Sequence, residues 1–323
     1  MTLLMRGLFY IVSMPGAEPS HLVFYRTACL KKLRDVESLQ REYGVSRLLC
    51  RQGFSLFVLT QHRNGDQYEL YMRKERNTVT ISEYLQSQPF PIPQELFVAL
   101  ALQLSLAIHR IHETGFIHLN LNADNIYINT QTLHVTITDF SCSRHWRENF
   151  SSSSFSDLLS AHNDFQYISP EQCDEKLYQL VDYRADLYNL GVLLYHILTK
   201  APPFSQFSSR KKLLFAQRDI TPSPLSSKLE NSHWEATAID RIVHKLLEKT
   251  PRARYSCANS LMYDISNLEH IKLPAKLFRQ NSSLVSLNTS MIASEAFHTP
   301  SVKRNSPERS FKSNLIRQLG KHN

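Results

Sequence analysis

In this chain of 323 residues, the groups best suited to chemistry fall between positions 116 and 141. Phe116-Ile-His-Leu-Asn-Leu-Asn-Ala-Asp-Asn-Ile-Tyr-Ile128 sets a histidine, amides and a carboxylate among apolar residues, and Thr138-Asp-Phe-Ser141 adds a second carboxylate. His118 precedes Asn125 by seven residues, and Asp139 follows it by fourteen. Groups of these types can position a hydroxyl, take up a proton or hold a hard cation, and they also satisfy local turns. Glycine counting removes two common phosphate-binding devices. There are eight glycines and no two lie closer than nine residues, so neither GxGxxG nor GxxxxGK[ST] can occur. His109 and His112 are one helical turn apart, but with no third ligand nearby they read as solvated or packed rather than metal-binding. The five cysteines form no CxxC pair, which fits reduced thiols better than a zinc ribbon or a disulfide framework.

The stretch from 116 to 141 resembles the catalytic and metal-binding loops of protein kinases, whose patterns are HRDxxxxN and DFG. Further on, Tyr167-Ile-Ser-Pro-Glu171 is similar to the family's APE segment, and Asp182-Tyr-Arg-Ala-Asp186-Leu-Tyr-Asn-Leu-Gly191 to its central helix. Arg254 stands where a late arginine of the large lobe belongs. The wording IHLNLNADNI, YISPEQ and DYRADLYNLG is most similar to kinase-like domains at the start of large ATPase/histidine-kinase hybrid sensors. The resemblance implies ATP and Mg2+ as cofactors, with Asn125 and Asp139 as the metal-holding amide and carboxylate. It implies Lys31, in Ala28-Cys-Leu-Lys31, as the lysine for the α/β-phosphates and Glu42 as its helix partner; their gap of eleven residues is short for the family, so Lys32, or neither lysine, is the alternative. It also implies a buried ion pair between Glu171 and Arg254, and an Asp186 that accepts hydrogen bonds from the backbone around His118.

The departures from the pattern carry as much information. Position 120, where the proton-accepting aspartate belongs, holds Asn120, and an amide can position a hydroxyl but cannot take its proton. Leu119 replaces the arginine that would answer an activation-segment phosphate. Ser141 replaces the glycine whose freedom to take positive φ helps the metal loop move. A phosphate-covering loop should lie between Gly7 and Val23, where only Pro15-Gly16-Ala-Glu-Pro19 breaks the chain. The expected activity is therefore that of a kinase-like protein with weak or no phosphotransfer. Such a protein would act by binding a signalling partner, such as a kinase or phosphorelay component. An active atypical Ser/Thr kinase and a nucleotide-free interaction module are the alternatives.

The elements that must position these residues follow from periodicity. Leu22-Val-Phe-Tyr25, Leu56-Phe-Val-Leu59 and Tyr68-Glu-Leu-Tyr-Met72 are β-favouring runs, the last two parted by the hairpin signal Asn64-Gly65-Asp66. One helical pattern, near Leu33 to Leu49, interrupts them. After Pro93 the period becomes helical, with Phe97, Leu100, Leu104, Ile108 and Ile111 on one face and Gly115 as the stop. Leu187 to Leu198 is apolar on nearly every face, which predicts a helix buried all round. The fold class is α+β: a strand-rich small lobe over about 1–85 and a larger helical lobe over about 86–271.

Residues 272–323 read as a basic, Ser-rich flexible tail. They hold nine Lys/Arg against two Asp/Glu, so +7 of the chain's formal +8 lies there and the rest has +1. The basic charge thus does not mark the folded part as a nucleic-acid binder. Thr299-Pro and Ser306-Pro beside Lys303-Arg304, and Ser151 to Ser154, are equally well phosphosites or spacer. No apolar run in the sequence reaches the length of a membrane span, and the start resembles a signal peptide only faintly, so a cytoplasmic or nuclear location is expected. A chain ending near Lys272 should melt at nearly the temperature of the full chain, as a thermal scan would show; a drop of many degrees would mean that the tail docks.

Overall fold

The three β-favouring runs at the start of the chain supply three strands of a five-stranded antiparallel sheet in the computed structural model, and two further strands precede them. The structure describes residues 5–6, 9–12, 22–29, 33–50, 57–148, 155–156, 159, 164–227 and 236–268. The strands are β1 (Met5–Arg6), β2 (Phe9–Val12), β3 (Leu22–Cys29), β4 (Phe57–Asn64) and β5 (Gln67–Lys74), in spatial order β1-β2-β3-β5-β4. β4 and β5 pair across Gly65-Asp66, Asn64 opposite Gln67, and Gly65 takes φ +57, which the tight turn needs. Helix α1 (Leu33–Cys50) lies between β3 and β4 in sequence. Its Val36 and Leu39 pack on Tyr68, Leu70 and Met72, the alternate residues of β5 that share one face of the sheet.

β6 (Thr78–Thr80) runs into α2 (Ile81–Ser87), where the Thr80 hydroxyl accepts the Glu83 N–H at 3.1 Å and the Glu83 carboxylate accepts the Thr80 N–H at 3.1 Å. After Pro93 comes α3 (Gln94–Glu113), with the expected Phe97, Leu100, Leu104, Ile108 and Ile111 all buried. Its stop is also as expected. Gly115 takes φ +86, and a Cβ there would lie 2.5 Å from His145 Nε2, so a side chain has neither the conformation nor the room. Helix α3 is long and apolar enough to cross a membrane, a length that counting unbroken apolar runs does not reveal, but most of it is buried inside the protein, as befits a core helix.

Four short strands then fix the loops that matter. These are β7 (Phe116–Ile117), β8 (Ile126–Asn129), β9 (Val135–Ile137) and β10 (Arg144–His145). β7 pairs with β10 and β8 with β9, while β6 completes a three-stranded sheet on β8. Residues 118–125 lie between β7 and β8, and residues 138–143 between β9 and β10. Each loop is therefore anchored at both ends by strands paired to the strands that anchor the other.

The large lobe continues with α4 (Glu175–Tyr178), α5 (Arg184–Thr199), α6 (Arg210–Asp219), α7 (Ala236–Leu246) and α8 (Ala258–Ser266). Every residue of α5 from Ala185 to Tyr195 is buried, as its all-round apolar sequence predicts. The architecture is the α+β, two-lobed one read from the sequence. The chain divides into units Met1–Asn281 and Ser282–Asn323, and everything described belongs to the first. The tail with Thr299 and Ser306, the segment Ser151 to Ser154, and both Lys31 and Lys32 lie outside the described residues.

Candidate functional site

The loop of residues 118–125 hangs on one buried carboxylate. Asp186, at the start of α5 and fully buried, accepts the backbone N–H groups of His118 and Leu119, each at 2.8 Å. The His112 Nε2–H donates to the same carboxylate at 2.8 Å. This grip holds Leu119 at φ +63, a conformation that costs a non-glycine residue of order 1–3 kcal/mol and persists only when its surroundings impose it. The Leu119 carbonyl is held as well, by the Gln172 side-chain amide at 3.0 Å. Its side chain is buried with Ile117, Cys142, Tyr178 and Val181, so the position that resembles a phosphate-answering arginine is part of an apolar core instead.

Within the loop, the Asn122 side chain accepts the N–H groups of Asp124 and Asn125 at 3.0 Å each, bending the chain so that Asn125 turns back. The Asn125 amide nitrogen then donates to the Asn120 carbonyl at 2.9 Å, which leaves its Oδ1 as the end able to meet a cation. Burial pushes the His118 pKa down, so its ring is neutral. Nε2–H donates to the Thr138 carbonyl at 3.0 Å and Nδ1 accepts the Asn120 N–H at 3.2 Å, a single tautomer that ties the two loops together.

Asp139 is where the loops converge. Its backbone sits at φ +62, ψ +58, and its N–H donates to Glu42 Oε1 of α1 at 3.1 Å. Its carboxylate accepts the Ser141 hydroxyl on Oδ1 at 2.5 Å and the Asn120 amide on Oδ2 at 3.0 Å. All of these groups are buried. In this turn the left-handed residue is Asp139, and Ser141 is absent from the positive-φ residues. Serine in place of glycine therefore costs no backbone strain here; its consequence is the added hydroxyl. Arg41, next to Glu42 on α1, donates to the Ser141 carbonyl at 3.0 Å, a second link from the small lobe to this loop.

The structure thus brings together Asn120, Asn125, Asp139 and Glu42. Glu42 reaches the Asp139 backbone, while the lysine it was expected to meet, Lys31, is outside the described residues. Sequence reading missed four participants. His112 was set aside as a packed or solvated histidine and instead holds Asp186; its pairing partner in that reading, His109, lies 3.5 Å from Glu113 on the same helix. Gln172, Asn122 and Arg41 left no signal beyond their hydrogen-bonding capacity. Among the described residues no cluster of three or more His, Cys, Asp or Glu could hold a metal ion. A cation here would rest on the mixed pair Asn125 and Asp139, whose oxygen donors suit magnesium in type.

Farther down the large lobe, Arg254 and Glu171 form the ion pair the sequence implied. Two parallel bonds of 2.7 and 2.8 Å join guanidinium and carboxylate, both nearly fully buried. Arg254 also donates to the carbonyls of Glu248 and Arg184 at 2.8 Å and of Lys249 at 3.2 Å.

A neutral histidine bridging two loops, an aspartate beneath the first loop, an amide and a carboxylate at the crossing, and a helix glutamate from the small lobe make up one connected set. Comparison of the sequence with known families matches the protein kinase domain over residues 32–264. The chain belongs to the protein kinase family. Among curated proteins, it is 27% identical over 180 residues to a probable serine/threonine-protein kinase of Clostridium perfringens, covering 55% of this chain and 24% of that protein. It is 30% identical over 175 residues to serine/threonine-protein kinase PknB of Mycobacterium leprae, covering 54% and 26%. It is also 27% identical over 185 residues to histidine protein kinase 1 of Candida albicans, covering 56% and 7%. The match thus spans about a quarter or less of each of these relatives.

Proposed function

We propose that this protein kinase domain is a pseudokinase, folded as a kinase but transferring phosphate weakly or not at all. The observation that carries the reading is the environment of Asp139. A kinase needs a base beside the substrate hydroxyl, and the side chain at that position is an amide that spends its N–H on Asp139 Oδ2. The residue is thereby committed to structure. ATP with Mg2+ is the cofactor the family normally uses, and Asn125 and Asp139 would hold the cation between the phosphates, which magnesium would shield as charge builds up. In this chain binding is weak, because the Asp139 carboxylate is already hydrogen-bonded on both oxygens. The chain's role is then to present a folded surface to a signalling partner, a kinase or phosphorelay component, in the cytoplasm or nucleus. The likeness of this region to part of a fungal histidine protein kinase supports that partner class.

The alternative is an active, atypical Ser/Thr kinase. It is favoured by the intact placement of Asn125, Asp139 and Glu42, since phosphoryl transfer relies chiefly on positioning and electrostatics. Thermal shift and radiolabel transfer with Mg-ATP, measured on one preparation, separate the readings. The expected result is a small, magnesium-dependent shift with little transfer, and Asp139→Ala should abolish the shift. Tight binding indifferent to both magnesium and Asp139 would remove this site from consideration, and robust transfer lost in Asp139→Ala would establish the active kinase.

A further inference from the structure

We infer that Ser141 is a built-in competitor for the divalent cation, a latch whose hydroxyl occupies the Asp139 oxygen that a metal would use. The inference rests on the reading of Asp139 as the cation-holding residue and adds what regulates it. The Ser141 Oγ to Asp139 Oδ1 distance of 2.5 Å is that of a short hydroxyl–carboxylate bond, about twice as strong as one between neutral groups. The hydroxyl proton thereby takes up a lone-pair site of Oδ1 that a cation would otherwise use. A carboxylate has about four lone-pair sites, so the hydroxyl weakens cation binding at Asp139 rather than abolishing it.

Ser141 is also held in place to do this. It is buried in the one-turn 3-10 helix Phe140–Cys142, which the Ser143 N–H closes on the Phe140 carbonyl at 3.0 Å. Its carbonyl takes the Arg41 guanidinium from α1 at 3.0 Å. The other oxygen, Oδ2, is held by Asn120, so the carboxylate cannot turn a fresh oxygen outward without breaking a second bond. Glycine at 141 would leave the backbone arrangement possible and remove this donor from Oδ1. A rise in cation concentration, or a partner that pulls α1 and Arg41 away, would release the latch.

The test reads cation binding directly. The thermal-shift midpoint is titrated with Mn2+ at a fixed concentration of a non-hydrolysable ATP analogue, using the full chain. The Ser141→Ala variant should reach its midpoint at a Mn2+ concentration tenfold or more below wild type, and Ser141→Thr, which keeps the hydroxyl, should match wild type. Melting in EDTA confirms that each variant folds. A Ser141→Ala midpoint equal to wild type would sink the latch, and a higher one would show the hydroxyl to be a ligand instead. Absence of any cation response in both wild type and Ser141→Ala would sink it too. Asp139→Ala separates the two layers: if it keeps the cation response, the reading of the site fails. If it loses the response while Ser141→Ala is unchanged, only the latch fails.

Discussion

Asn120→Asp is expected to recover little phosphotransfer and to lower the stability of the protein in the absence of divalent cation. General-base catalysis is typically worth about 10²–10⁴-fold, so a site lacking nothing else would regain activity on that scale. The geometry argues against so simple a rescue. The Asn120 amide nitrogen is 3.0 Å from Asp139 Oδ2, and a carboxylate in its place would face another carboxylate at about that distance within a buried site. Two such groups cannot both stay ionised without a cation between them. The hydrogen bond is lost and a repulsion replaces it, which should cost roughly 1–3 kcal/mol, the usual scale for a buried polar group deprived of its partner. In EDTA the variant should melt several degrees below wild type, about 2–4 °C per kcal/mol for a domain of this size, and regain that loss as Mg2+ is added. Radiolabel transfer to a Ser/Thr peptide should stay within tenfold of background, because Ser141 still occupies Oδ1. Transfer raised a thousandfold by this one change would mean that the site is otherwise intact and that inactivity rests on position 120 alone.

Arg254→Ala should be the most destabilising single change in the large lobe. Removing the guanidinium strands the Glu171 carboxylate, whose side chain is 2% exposed, and frees three backbone carbonyls it now binds. Breaking one side of a buried pair costs roughly 3–5 kcal/mol. Urea denaturation followed by tryptophan fluorescence or circular dichroism measures it directly. Arg254→Lys should recover only part of the loss, since a single ammonium cannot reproduce two parallel bonds. The double variant Glu171→Leu/Arg254→Met should lie closer to wild type than Arg254→Ala, because no charge is then left buried alone. An Arg254→Ala protein as stable as wild type would contradict the pairing on which the late helices are aligned with the kinase family.

Arg254 and its partner Glu171 were both legible through the family resemblance, whereas at the candidate site residue types were visible and their partners were not. Asn120 read as the loss of a base, and the sequence could say no more, since the hydrogen bond it makes is to a residue nineteen positions away. Ser141 read as a lost glycine. The expected penalty lay in the backbone, but the left-handed residue is Asp139, and the serine acts through its hydroxyl. His112 looked inert because a metal needs a third ligand; a buried carboxylate on α5, 74 positions on, supplied a different role.

What the sequence alone determined is what depends on local order: the strand and helix periods, the two-residue hairpin turn at Gly65, the stop at Gly115, and the spacing from His118 to Asp139 that marks the family. The glycine spacing was equally decisive, since it excludes two phosphate-binding loops without reference to any structure. Tertiary structure alone decided where hydrogen bonds end. The paired strands β7–β10 and β8–β9 bring residues 118–125 against 138–143, and α1 lays Arg41 and Glu42 over the second loop. Only then do Asn120 and Ser141 meet the two oxygens of Asp139. Hydrogen bonds act over about 3 Å and are indifferent to separation along the chain, so a residue's type limits what it can donate while the fold chooses what receives it.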